Sequence, residues 1–165
     1  MTNNLYSNLE RYYWLIAEGP RLSAQIGDTL INLKEYENIE AGTGVIPTMV
    51  IPGFTAGNSS TFFLRRVLEQ KGHRMEKWWQ NRNNGFSDQV IAESVEQVKE
   101  LADRSGQKVN ILGQSLGGCF ARTIANEIPD YVNVVVTLGS LIAGIENVSP
   151  STIRTYNSVA GLVDA

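Results

Sequence analysis

Lys108-Val109-Asn110-Ile111-Leu112-Gly113-Gln114-Ser115-Leu116-Gly117-Gly118 is the stretch whose reading decides the fold. Lys108 to Leu112 is short and mostly apolar, as expected of a buried strand, and Leu116 to Ile128 has the spacing of an amphipathic helix. Between them the residues match G-x-S-x-G in the setting that pattern requires: strand, tight turn, helix. A serine on so sharp a turn is held in a strained backbone conformation, and side chains two residues either side would collide with it. Gly113 and Gly117 remove those side chains. The hydroxyl of Ser115 is thereby expected above the end of a sheet, where the start of a helix favours developing negative charge. A glycine-rich turn with an incidental serine would not need both flanking elements. No G-x-G-x-x-G fingerprint and no phosphate-loop Lys-Ser/Thr pair competes with this reading.

Strands and helices alternate on both sides of this stretch. Val45 to Ile51 reads as a buried strand ending in the loop Pro52-Gly53-Phe54-Thr55-Ala56-Gly57. Ser59 or Ser60 is placed to cap a helix to about Gln70, with Phe62, Phe63, Val67 and Leu68 on its inner side and Arg65, Arg66 and Lys71 on a solvated face. Arg74 to Trp79 is expected to be a strand, with Trp78 and Trp79 facing opposite sides, and Asn81 to Gly85 a polar turn. Ser87 or Asp88 opens a helix carrying Val90, Ile91, Val95, Val98 and Leu101. Val132 to Leu138 is a further strand, and Thr152 to Asn157 a weaker one. Such alternation predicts an α/β fold, a parallel sheet covered by helices on both faces. The first forty residues read as helical, with Leu5, Leu9, Ile16, Leu22, Ile26, Leu30 and Leu33 in stripes that are expected to pack on the same single domain, 1–165.

Composition narrows the function. The chain has 165 residues, 42% of them hydrophobic and 19% charged, with a net charge of −3. Basic residues are scattered among acidic ones, which argues against nucleic-acid binding. There is one cysteine, Cys119, and one histidine, His73. An intramolecular disulfide and a Cys/His zinc site both lack partners, so no metal or other cofactor is expected. Cys119, four residues into the helix, reads as buried packing rather than a nucleophile. No apolar run is long enough to span a membrane and no leader is recognisable, so a cytoplasmic location is the default expectation.

If Ser115 is a nucleophile in acyl transfer, two backbone N–H groups must face the oxyanion. One is that of Leu116, and the other is expected from the loop after the earlier strand, from Phe54 with Thr55 as the alternative.

From Thr48 to about Gly144 the chain resembles the bacterial α/β-hydrolase family of lipase-like and esterase-like proteins. The pieces that carry the likeness are Val50-Ile51-Pro52-Gly53-Phe54, Leu64-Arg65-Arg66 with Leu68, Gly72, Trp79 with Asn81 to Gly85, Val109 to Gly118, and Val136-Thr137-Leu138-Gly139-Ser140. The resemblance implies a three-layer, doubly wound, mostly parallel sheet, Ser115 on a nucleophile elbow, and cofactor-free hydrolysis of carboxylic esters with an apolar acyl group.

The chain departs from that family after the elbow. The family's order is Ser, acid, His, yet no histidine follows Ser115, and His73 falls at a helix-to-strand junction, the end of the sheet opposite the catalytic loops. Ala160 stands where the acid is expected, with Asp164 and Glu146 as substitutes. The last strand and the usual lid material are expected to be missing, which leaves an exposed sheet edge for self-association or for a second chain supplying the histidine. The alternatives are therefore a serine ester hydrolase with an incomplete triad and a non-catalytic binding domain on the same fold.

Overall fold

The computed structural model describes residues 45–140, together with Ile153, Arg154 and Asn157. The helical reading of residues 1–40 and the substitute acids Glu146 and Asp164 lie outside the described residues. Within residues 45–140 seven elements follow one another: β1 (Pro47–Ile51), α1 (Phe62–Gln70), β2 (Arg74–Lys77), α2 (Asp88–Ser105), β3 (Val109–Gln114), α3 (Leu116–Glu127) and β4 (Val132–Leu138). The four strands form one sheet in the order β2-β1-β3-β4, and every pairing is parallel. Parallel neighbours need crossover connections, which α1, α2 and α3 supply.

One face of the sheet carries the core. Met49 and Ile51 of β1 and Val109 and Ile111 of β3 pack against Val95, Val98 and Leu101 of α2 and Phe120 and Ile124 of α3. Phe120 is the centre of an aromatic group: it stacks on Phe86 at 3.9 Å and meets Trp78 edge-on at 5.4 Å. On the opposite face Thr48 and Val50 are equally buried. β1 is therefore covered on both faces, as its unbroken burial predicts.

β4 is different. A register shift opposite Val109 and Asn110 lets Val132 and Val135 both pack on the core. Val134, Val136 and Leu138 point to the other face and are 47%, 38% and 42% exposed. β4 is also an outer strand of the described sheet.

Several local expectations are corrected. The inner face of α1 is not that of Phe62 and Phe63, which are exposed and pack edge-on against each other. Thr61 is its N-cap, and the buried side chain one turn on is Arg65, which donates to the Asn58 carbonyl at 2.8 Å. Starting the helix at Phe62 rotates the aromatic pair outward and turns the arginine in. β2 ends at Lys77, so Trp78 and Trp79 do not alternate across a strand. Both indole N–H groups instead donate to Ser94 Oγ of α2, at 2.8 and 3.0 Å. Cys119 is half-buried, with Arg122 Nη2 at 3.7 Å from its sulfur, rather than enclosed in the core. In the segment read as a last weak strand, Ile153, Arg154 and Asn157 are helical.

Candidate active site around Ser115

Ser115 sits between β3 and α3 with φ 52° and ψ −121°, a backbone conformation that L-residues rarely adopt. The neighbours make it tenable. A methyl group on Gly113 would run into the carbonyl of Gly117 and the Cα of Gly118, and one on Gly117 into the carbonyls of Ile51 and Pro52. The turn is thus closed by glycines on both flanks, as the steric argument requires. Ser115 N–H donates to the Leu138 carbonyl at 2.8 Å and its carbonyl accepts from Gly118 N–H at 3.0 Å. The first bond ties the turn to β4 and the second begins α3.

The loop after β1 lies directly against this serine. A Cβ built on Gly53 would stand 3.3 Å from Ser115 Cβ and 4.0 Å from its Oγ. Ala56 N–H donates to the Gly53 carbonyl at 3.0 Å, closing a four-residue turn whose third residue, Thr55, has φ 60°. That is the type II pattern, which ordinarily places glycine or asparagine there. Thr55 N–H is engaged by the Asn83 carbonyl at 2.7 Å. Of the two loop residues expected to face an oxyanion, Thr55 has its N–H bonded to the Asn83 carbonyl, and Phe54 precedes it in the same turn, directly after Gly53. Leu116, the other expected donor, is the first residue of α3, where the helix leaves its leading N–H groups without intrahelical partners.

His73 is remote from all of this. Its Nδ1 lies 3.1 Å from the hydroxyl of Thr48. Thr48 pairs with Asn110, five residues before Ser115, which puts it about 16 Å away along the sheet. No histidine or carboxylate among the described residues hydrogen bonds to Ser115. A shallow acidic cleft lined by Trp79, Glu93, Glu96 and Glu100 opens on α2 and does not include Ser115. Among the described residues no three His, Cys, Asp or Glu side chains converge as a metal site would require, and no helix is long and apolar enough to cross a membrane.

One residue that sequence reasoning passed over as part of a polar turn is Asn83. It is fully buried, and its side chain and backbone reach three residues of the loop beside Ser115. An asparagine pair followed by glycine, Asn83-Asn84-Gly85, reads in sequence only as a turn.

Comparison with known proteins fits this arrangement. Among solved structures the chain is similar to a lipase of Bacillus licheniformis in its mature form, at TM-score 0.53 and 16% identity, over 76% of this chain and 59% of that one. It is similar to a soluble variant of the monoglyceride lipase of Saccharomyces cerevisiae bound to a substrate analogue, at TM-score 0.53 and 16% identity, over 72% of this chain and 43% of that one. A 2-hydroxy-6-oxo-6-phenylhexa-2,4-dienoate hydrolase from a Rhodococcus strain matches at TM-score 0.51 and 19% identity, over 70% of this chain and 45% of that one. The chain therefore spans less than two thirds of these structures' length. At such identities the likeness establishes the α/β-hydrolase fold. No curated protein sequence matches the chain. A family profile, that of the palmitoyl protein thioesterases, matches residues 60–163, which is more than half of the chain and runs through the elbow, and the chain accordingly belongs to the palmitoyl protein thioesterase family.

Proposed function

We propose that this chain carries the nucleophile half of a serine acyl hydrolase acting on carboxylic esters or thioesters with an apolar acyl group. The observation that carries the reading is the positive φ of Ser115, held between two glycines at a strand-to-helix turn. Backbone strain of this kind persists where the surroundings over-determine it, and it presents the hydroxyl clear of its own chain. In the proposed step Ser115 Oγ bonds to the acyl carbon, and the carbonyl oxygen takes up negative charge facing the N–H groups of Leu116 and Phe54. The acyl–oxygen or acyl–sulfur bond then breaks, the departing alcohol or thiol carries off the serine proton, and water cleaves the acyl–Ser115 ester to release the carboxylic acid and restore the hydroxyl. Thioesters enter because the family's name specifies a palmitoyl thioester, and apolar acyl groups because the solved relatives include lipases.

A second reading has its own observation. His73, the one histidine of the sequence, is hydrogen-bonded to Thr48 near the start of β1, so the base that such chemistry uses is not supplied by it. A domain that binds an acyl group beside Ser115 without turning it over satisfies the same geometry. The edge for joining a second copy, or a chain bearing a histidine, is expected from the sequence at Thr152–Asn157, where Ile153, Arg154 and Asn157 are helical; β4, an outer strand of the described sheet, takes its place in this reading, and light scattering across a concentration series tests the association.

Hydrolysis of a short p-nitrophenyl ester and of an acyl thioester, measured beside Ser115→Ala, separates the two readings. Release of product by the parent and its loss in the variant is the expected result. Equal inactivity of two folded proteins would overturn the hydrolase reading in favour of binding. Oxyanion stabilisation and binding alone retain roughly 10³-fold catalysis over water when a triad is incomplete, so a weak signal is informative.

A further inference from the structure

We propose that Asn83 is the positioning residue of the oxyanion loop, fixing the direction in which Phe54 N–H points; the inference rests on the acyl-transfer reading of Ser115. Asn83 is the only residue among those described that holds the loop from both its side chain and its backbone. Its Nδ2 donates to the Pro52 carbonyl at 2.8 Å, its N–H donates to the Ala56 carbonyl at 2.9 Å, and its carbonyl accepts from Thr55 N–H at 2.7 Å. Its own Oδ1 accepts from Gly85 N–H at 3.1 Å, which locks the amide's orientation.

These bonds bracket the peptide that matters. The Gly53 carbonyl is held by Ala56 N–H. Because a peptide is planar and trans, the N–H of Phe54 points opposite to that carbonyl. The direction of Phe54 N–H is therefore set by the Gly53–Ala56 bond, and Asn83 pins the peptides on either side, through the Pro52 carbonyl and Thr55 N–H. A type I turn would suit Thr55 better, since it needs no positive φ, and it differs by rotation of the Phe54–Thr55 peptide. That rotation would take Thr55 N–H away from the Asn83 carbonyl. Arg82 Nε adds a bond to the Thr55 carbonyl at 2.9 Å, on the exposed side. The strain at Thr55 is offset by buried bonds that converge on one asparagine. The tether at Pro52 has a second consequence. The Pro52 carbonyl lies against Gly117 of α3, so Asn83 registers the loop relative to the elbow as well as the turn within the loop.

The test uses a fluorophosphonate, whose phosphorus takes Ser115 Oγ while the P–F bond breaks and fluoride and the serine proton depart. Labelling is followed by intact mass in the parent, Ser115→Ala and Asn83→Asp. The aspartate keeps the size and the acceptor for Gly85 but loses the donor to Pro52. The expected result is a maximal labelling rate lower by about 10- to 100-fold with half-saturation unchanged, the signature of a misdirected N–H rather than lost binding. A folded Asn83→Asp that labels at the parent's rate overturns the proposal, as does a loss carried by half-saturation alone. If Asn83→Asp does not fold, Asn83→Leu, which keeps the side chain's size and removes the donor without adding a charge, is read by the same criterion. Amide exchange in the parent keeps the two ideas separate. Thr55 N–H is expected to be protected to the level of the β1 amides, and exchange as fast as an open loop overturns the clamp whether or not Ser115 reacts. Absence of label in a parent whose Thr55 amide is protected sinks the serine chemistry and leaves the clamp as the loop's structure.

Discussion

At Ser115 and its flanking glycines the backbone has almost no latitude. A methyl group on Gly117 would stand 2.7 Å from the carbonyl of Pro52, the first residue after the central strand, and closer still to that of Ile51, the strand's buried last residue. Neither can retreat, because β1 is paired on both sides. Gly117→Ala is therefore expected to destabilise the fold by about 3 kcal/mol, the upper range for overpacking, and to lower the urea midpoint accordingly. Gly106 makes the useful contrast. It ends α2 at φ 66° with nothing within 4 Å of an added Cβ, so Gly106→Ala meets only backbone strain, about 1 kcal/mol. Equal losses for the two variants would refute the steric account of the elbow. The turn itself was legible in the sequence because its constraints are local: two glycines, one serine, and the elements on either side. Asn83 was not legible, since its role depends on a loop about thirty residues earlier in the chain that only the folded sheet brings alongside.

Helix α2 shows what a single element adds. Ser87 caps it, accepting from Val90 N–H at 3.2 Å, as the sequence suggests, and Gly106 closes it in the left-handed conformation. Midway, Ser94 is completely buried. Its hydroxyl donates to the Val90 carbonyl at 2.7 Å while accepting from both Trp78 and Trp79. A serine in mid-helix usually competes with the helix's own bonds; here it is retained as the common acceptor for two indoles where β2 ends. Ser94→Ala leaves two donors without that acceptor and is expected to destabilise the protein by about 2 kcal/mol. The change in indole surroundings is read directly in the tryptophan emission spectrum. An unshifted spectrum together with unchanged thermal stability would show that the paired bonds contribute nothing. Helix phase was the least legible property at this scale. Phe62 and Phe63 look like core residues by type, yet which side of α1 is inward depends on the first helical residue, and the Ser60 hydroxyl turns back to the Gly57 carbonyl instead of capping. Ile153 misled in a similar way: a β-branched neighbourhood suggests a strand, while Pro150-Ser151 is equally a helix-start signal.

Across the whole sheet, burial is uneven. Ile111, on the helix-covered face of β3, is completely buried, whereas Val136 on the opposite face of β4 is 38% exposed. Val136→Thr is expected to change stability by less than about 0.5 kcal/mol. Ile111→Thr, which places a hydroxyl in an apolar interior and removes a methyl group, is expected to reduce it by about 3 kcal/mol. Denaturant titration of the pair checks whether the exposed face of β4 is uncovered in solution, and a large loss for Val136→Thr would mean that it is not. The parallel sheet was readable from the alternation of elements, while the strand order and the split character of β4 were not, because both are properties of the pairing rather than of any one strand's sequence. The strand order also bears on synthesis. β1 is flanked by β2 and β3, and β3 begins some 58 residues after β1 ends. At about 5–20 residues per second, a ribosome takes roughly 3–12 s to make that stretch. Throughout that interval Pro47–Ile51, the most buried strand of the finished domain, lacks its β3 neighbour, so the growing chain carries an incompletely paired apolar strand until the residues just before Ser115 have been added.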